Sequence, residues 1–394
     1  MLTYTEAQQL IAEQAHSFGT EKISLEQCTG RVLAETISAD RDYPPFNRAT
    51  MDGYAIKHAD FEKGIRTYSI LETIFAGQLS TQKNTGNSSY KIMTGAPVPA
   101  DADVVIRRED TREENGKVEL LIDSCNPFQN ISRQGEDFMK GTPVIDQPVI
   151  CNAAVISLLA AVGKDTVTVE RLPKVAILTT GNEIVPVNSA VEPVQIRNSN
   201  AWLLKSLLAK QLITPIAVEH IADDKELLRA AFKKVLDADI IITCGGVSAG
   251  DADYVPLIAE ELGIKILFHK LSIKPGKPVL CGVTPGGGML FGLPGNPFSS
   301  LVTFTLFIQH YLNACNRLTN TGPVQTQLHG IRTKKSSLDE FFPVRLIKSV
   351  NAIEPITFNG SGDIQAALYA DGIGFHPAEK GKIETGDSIQ WLPL

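Results

Sequence analysis

Apolar residues at helical spacing open the chain. Ala7, Leu10, Ile11, Ala15 and Phe18 recur up to Gly19, and Thr3 followed by Glu6 is a capping-box pattern, so the spacing predicts an amphipathic helix. Over residues 38–147 the rhythm changes to short β-prone runs (68–75, 90–93, 104–107, 117–122) broken by Gly, Pro and Asn, which predicts a separate, mainly β domain. Residues 151–163 return to an apolar helical pattern. This segment and the first helix are expected to flank the β insertion and pack together, which would make their domain discontinuous.

From Lys174 onward apolar β runs (175–178, 215–220, 238–243, 264–269, 278–283, 289–292) alternate with helical ones (198–212, 225–236, 254–262, 298–312). Continuous apolar strands separated by helices predict a doubly wound, mostly parallel α/β sheet covered on both faces. After about Pro323 the chain is β-prone again, with turn signals at Asn359-Gly360, Asp371-Gly372 and Thr385-Gly386-Asp387, and a small terminal β-barrel is expected. The expected multi-domain plan is a discontinuous helical linker domain (1–40 and 146–172), an inserted β domain (41–145), an α/β domain (173–322) and a C-terminal barrel (323–394).

The net charge of -7, with no block of Lys and Arg, provides no footprint for nucleic acid or an anionic membrane, so any anion must be held by local charge. Six cysteines (Cys28, Cys125, Cys151, Cys244, Cys281, Cys315) lack C-x-x-C pairs and His companions at metal-ligand spacing, which argues against zinc and disulfides and suits a reducing cytosol. The N-terminus lacks a basic, apolar leader, and no apolar run reaches membrane-spanning length. A cytoplasmic location is expected.

Polar clusters in the α/β region follow the carboxyl ends of predicted strands: Thr179 to Glu183, Asp223-Asp224, Gly245 to Asp253, Lys274-Pro275-Gly276-Lys277 and Pro294-Gly295-Asn296-Pro297. Ligands of open α/β sheets bind at that rim. Glycines permit close backbone approach to phosphate, and the carboxylates tolerate phosphate only with a hard cation between them, which suits magnesium. Two lysines bracketing Pro275-Gly276 suit an oxyanion. Turn and cap chemistry is the competing explanation for each cluster, most directly for Asp224 before a helix. Gly246-Val247-Ser248-Ala249-Gly250 imitates a hydrolase nucleophile elbow, but His269, His310 and His376 carry no supporting motif.

Motifs in order along the chain resemble the molybdopterin molybdenumtransferase family, which includes the plant insertase domain and the gephyrin E domain. They run from Phe46-Asn47-Arg48-Ala49-Thr50-Met51-Asp52-Gly53-Tyr54-Ala55 through Met93-Thr94-Gly95-Ala96-Pro97, Gly135-Glu136-Asp137, Thr180-Gly181-Asn182-Glu183, Gly245-Gly246-Val247-Ser248, Lys274-Pro275-Gly276-Lys277-Pro278 and Gly292-Leu293-Pro294-Gly295-Asn296-Pro297 to Gly360-Ser361-Gly362. The resemblance implies a transferase that takes adenylylated molybdopterin and molybdate, releases AMP with magnesium, and works as an elongated homodimer whose active-site cleft lies between one subunit's α/β domain and its partner's β domain. A molybdopterin adenylyltransferase is a candidate partner. It further implies functional roles for Asp52, Thr94, Asp137, Glu183, Asp223 and Asp253, with Glu183, Asp223 and Asp253 as candidate metal ligands. Gly245, Gly246, Ser248, Gly250, Pro294, Gly295, Asn296 and Pro297 are implied substrate contacts, and Lys274, Lys277 and Ser361 are implied molybdate contacts.

The chain departs from the family pattern twice. Ala49-Thr50 replaces a serine and alanine, and Pro343 stands where relatives carry an arginine; Arg345, two residues on in a predicted strand, shares that face. A gephyrin-like scaffold and the preceding adenylylation step are the alternative functions. Retention of Asp52, Glu183, Asp223 and Asp253 argues against the scaffold, and the extra β domains against the adenylyltransferase.

Overall fold

Helix α1 (Tyr4–Ala12) is closed by the expected capping box: Glu6 N–H donates to Thr3 Oγ1 at 3.3 Å, and Thr3 N–H donates to the Glu6 carboxylate at 2.8 Å. It stops short of Gly19. The apolar spacing beyond it serves tertiary packing instead, because Phe18 sits edge-on to Tyr311. The apolar face of α1 (Tyr4, Ala7, Ile11) is buried against the helical residues 304–315, and Gln8 Nε2 donates to the Leu306 carbonyl.

In this computed structural model, which describes residues 1–247, 253–319, 322–363 and 365–394, the chain falls into two units. One comprises Met1–Ala34, Pro148–Asn152 and Thr168–Leu394, and the other comprises Glu35–Gln147 and Ala153–Val167. The second unit is built on strands β1 (Gly53–Ile56), β2 (Thr67–Ile74), β3 (Ser88–Ile92), β4 (Val104–Arg107), β5 (Thr111–Glu114) and β6 (Lys117–Leu120), in the order β4-β1-β3-β2-β6-β5. Alternate residues feed two cores, Tyr54 and Ile106 on one face and Ala55 and Val105 on the other. Gly53 allows the close pairing of β1 and β4, since a Cβ there would lie 1.9 Å from the Ile106 carbonyl oxygen. Helix α2 (Ala153–Ala161) also belongs to this unit.

The first unit carries a doubly wound sheet of β7 (Val175–Thr180), β8 (Ala217–Ile221), β9 (Ile240–Cys244), β10 (Lys265–His269), β11 (Leu280–Val283) and β12 (Met289–Leu293), in the order β8-β7-β9-β12-β11-β10. Only β11 runs against the others. Every residue of β7 and β9 is buried, with Val175 and Ile177 in one core and Ala176 and Leu178 in the other, so the continuous apolar runs mark a sheet covered on both faces. Helices α3 (Ser199–Lys210), α4 (Lys225–Val235), α5 (Val255–Glu261) and α6 (Pro297–Thr303) follow β7, β8, β9 and β12. Helix α4 shows the sequence logic: Leu228, Ala231, Phe232 and Val235, at three- and four-residue spacing, are its buried residues.

The chain ends in a closed barrel of β13 (Val324–Leu328), β14 (Asp339–Ile347), β15 (Ala352–Pro355), β16 (Gly372–His376) and β17 (Ser388–Pro393), running β14-β15-β13-β17-β16 and back to β14. Phe342, Val344, Ile353 and Trp391 fill it. Ile273 and Lys274 pair in parallel with Asp339 and Glu340, so the lysine turn is pinned to the barrel's first long strand.

Candidate active site

At the carboxyl ends of β7, β8 and β9 lies a cavity of ≈ 300 Å³ lined by Glu183, Asp223, Asp253, Gly245, Gly246, Gly295 and Asn296, among others. The sheet places each group there by ending. After Thr180 the chain turns through Gly181, at φ +135°, where a Cβ would meet the Glu183 carboxylate at 2.8 Å. Gly245, at φ +94°, lies against Thr180, whose Oγ1 would be 2.8 Å from a Cβ. Asp224 caps α4, its Oδ1 accepting from the N–H groups of Glu226 and Leu227 at 2.9 Å, whereas the neighbouring Asp223 lines the cavity. Ser248 and Gly250 lie outside the described residues.

Among the described residues no three His, Cys, Asp or Glu side chains converge as a metal cage. Magnesium rarely uses one: it is bound through one or two carboxylates with substrate phosphates and water completing its shell. The cavity suits that mode. Thr180 Oγ1 and Asn200 Oδ1, both of residues that line it, are buried without a hydrogen-bond partner, so oxygen ligands are available beside the carboxylates.

A second cavity, of ≈ 550 Å³, is lined by Lys274, Lys277, Asn296, Arg332, Glu340 and Ser361 together with apolar residues. Asn296 belongs to both cavities, and its Nδ2 donates to Ser361 Oγ at 2.8 Å. The turn between the lysines depends on Gly276, at φ +100°, where a Cβ would lie 2.5 Å from the Thr303 methyl. Glu340 is buried. Burial pushes its carboxyl up, but the hydrogen bond and charge of Arg332, with Lys274, outweigh this and hold it below the usual range.

Pro294 lines the second cavity, but Pro297 sits at the start of α6 and faces a different groove beside Phe298 and Leu203, so of the proline loop Pro294, Gly295 and Asn296 reach the two cavities. Arg345 does not line the lysine cavity. It is exposed on β14 and pairs with Glu354 at 3.4 Å. The arginine that reaches the cavity is Arg332, which sequence reasoning missed because no motif or spacing marks it. Glu340, Asn198 and Asn200 were likewise unmarked.

In the second unit Asp52 Oδ1 accepts from both the N–H and the Oγ1–H of Thr94 at 2.7 Å, and these bonds, the backbone one foremost, hold its carboxyl below the usual range. The two motifs are thus one local structure. Ala49 is buried in the core and Thr50 is exposed, while Asp137 is exposed on the loop after Gly135.

Residues 2–163 match the MoeA N-terminal region (domain I and II), residues 176–314 a probable molybdopterin binding domain, and residues 327–394 the MoeA C-terminal region (domain IV). The chain is 30% identical over 393 residues to a molybdopterin molybdenumtransferase of Synechocystis, covering 98% of each, and 37% identical over 300 residues to one of Bacillus subtilis, covering 74% of this chain and 69% of that one. A solved MoeA protein from Pyrococcus horikoshii superposes over 100% of this chain and 99% of its own, with a TM-score of 0.81 and 31% identity. With relatives of that likeness along its full length, the chain belongs to the molybdopterin molybdenumtransferase family.

Proposed function

We propose that this chain performs the transfer its relatives are named for, taking molybdate and adenylylated molybdopterin and leaving molybdenum on the pterin dithiolene with release of AMP. The observation that carries this is the pair of unlike cavities joined at Asn296, one rich in carboxylates and glycines, the other lined by three cations. Glu183, Asp223 and Asp253 would hold magnesium against the phosphates of the nucleotide, and the ion would neutralise charge developing on the phosphoryl oxygens as AMP leaves. Backbone at Gly245, Gly246 and Gly295 allows phosphate to approach closely. Lys274, Lys277 and Ser361 would hold the molybdate dianion through charge-assisted and hydroxyl hydrogen bonds. The homodimer, the cytoplasmic location, a separate adenylyltransferase as supplier of the adenylylated pterin, and the roles of Asp52, Thr94 and Asp137 belong to the same proposal and rest on the resemblance.

Titrating molybdate and adenylylated pterin separately against Lys274→Ala tests the division of labour. Losing one charge-assisted hydrogen bond should cost roughly 1.5 to 3 kcal/mol, about tenfold or more in molybdate affinity, with pterin binding spared. A loss confined to pterin binding would assign the lysines to the pyrophosphate and refute the reading.

A further inference from the structure

Arg332 is held on three sides. Its Nη2 donates to Glu340 Oε2 at 2.9 Å, its Nη1 donates to His376 Nδ1 at 3.1 Å, and its Cζ lies 4.0 Å over the Phe342 ring. His376 is fully buried and its Nε2 lies 2.8 Å from the Lys380 carbonyl oxygen, which only accepts. Nε2 therefore carries the ring proton and Nδ1 offers Arg332 a lone pair. The guanidinium is ordered before any ligand arrives, so its remaining N–H donors meet an anion without further loss of side-chain freedom.

Glu340 joins Arg332 to the lysine turn. Its other oxygen, Oε1, lies 3.4 Å from Lys274 Nζ. Among the described residues the charged groups lining this cavity are Lys274, Lys277, Arg332 and Glu340, three cations against one carboxylate, which leaves two positive charges for a doubly charged anion. A cavity with the carboxylate removed would carry three, a better match to the higher charge of pyrophosphate. The rigid fork of Arg332 adds shape to this, since a planar pair of donors fits two oxygens of one tetrahedral centre better than an ammonium does.

We propose that Arg332 binds molybdate directly in this chain, and that Glu340 is a positioning residue that fixes Arg332 and Lys274 and sets the cavity's net charge. This rests on the cationic cavity being the oxyanion site.

The test is equilibrium dialysis of molybdate against the full chain and its variants, with adenylylated pterin titrated in parallel. Arg332→Gln alone would strand the buried Glu340, so the informative changes are Arg332→Lys, which keeps the charge and loses the fork, and the double change Arg332→Gln with Glu340→Gln, which keeps the net charge and loses the charged guanidinium fork. Both should weaken molybdate about tenfold or more and leave pterin affinity unchanged, while Arg345→Gln should match the parent. Glu340→Gln should raise pyrophosphate affinity relative to molybdate several-fold, a ratio that mere loosening of the barrel would not move. Should the double variant not fold, Arg332→Lys decides alone. Unaltered molybdate binding in Arg332→Lys alongside a loss in Lys274→Ala would overturn the role of Arg332 and leave the cavity's assignment standing. Unaltered binding in both would remove that assignment, and this inference with it. An unchanged pyrophosphate ratio would overturn the role of Glu340.

Discussion

Asn182 and Asp223 hold each other across the ends of β7 and β8: Asp223 N–H donates to Asn182 Oδ1 at 3.0 Å, and Asn182 N–H donates to Asp223 Oδ2 at 3.1 Å. One carboxylate oxygen is committed to the loop, and the residue still lines the cavity. Asp223→Asn keeps an oxygen for the Asn182 bond and removes the charge. Magnesium-dependent AMP release should fall roughly a hundredfold or more, equivalent to about 3 kcal/mol of transition-state stabilisation, with the melting temperature unchanged. Full turnover in this variant would confine Asp223 to holding the loop.

Its neighbour behaves oppositely. Asp224→Ala removes the cap of α4 and should cost about 1 kcal/mol of stability, visible in a denaturant melt, while turnover per folded molecule stays at the parent value. A loss of activity without a loss of stability would show that the capping account is wrong.

These adjacent aspartates show what the chain disclosed on its own. The unbroken apolar runs of β7 and β9 and the three- and four-residue spacing of α4 are local sequence patterns, so fold class and rim position could be read directly. Which of two aspartates caps and which faces ligand depends on where the backbone turns after β8, and no periodicity encodes that. Arg332 was hidden for a related reason: its role comes from Glu340 and Phe342 on β14 and His376 on β16, which the barrel brings together. Asp52 and Thr94 had only turn-like local chemistry, although 42 residues apart they are directly bonded.

Gly245→Ala probes the close approach to Thr180. The new Cβ would meet Thr180 Oγ1 at 2.8 Å and its carbonyl oxygen at 2.9 Å, in a backbone conformation that L-residues avoid. A stability loss of roughly 1 to 3 kcal/mol is expected, together with weakened nucleotide binding, because the loop must shift away from β7. Calorimetry with AMP measures both, and unchanged AMP affinity would show that this loop does not hold the phosphate.

His376 should make the barrel sensitive to acid. Burial, and then the positive charge of Arg332, push its pKa down from 6.5, with Lys334 acting the same way and the Lys380 carbonyl and Glu340 acting against them. A histidine whose folded pKa is depressed takes up fewer protons folded than unfolded, so it has no effect above the unfolded value of 6.5 and lowers stability progressively as pH falls below it. Protonation at Nδ1 also turns the acceptor of Arg332 into a second donor, and that contact becomes repulsive. Molybdate binds the folded state, so its affinity should decline only at lower pH than the onset of the stability loss, where the folded imidazole itself protonates at its depressed pKa. His376→Gln can accept from Arg332 and donate to Lys380 without titrating, so its melting temperature should fall less between pH 7 and pH 5.5 than the parent's. Some acid slope should remain, since burial also depresses the pKa of His310. If His376→Gln and the parent lose stability in parallel, the slope originates elsewhere; a parallel loss of molybdate affinity would show that His376 does not govern Arg332.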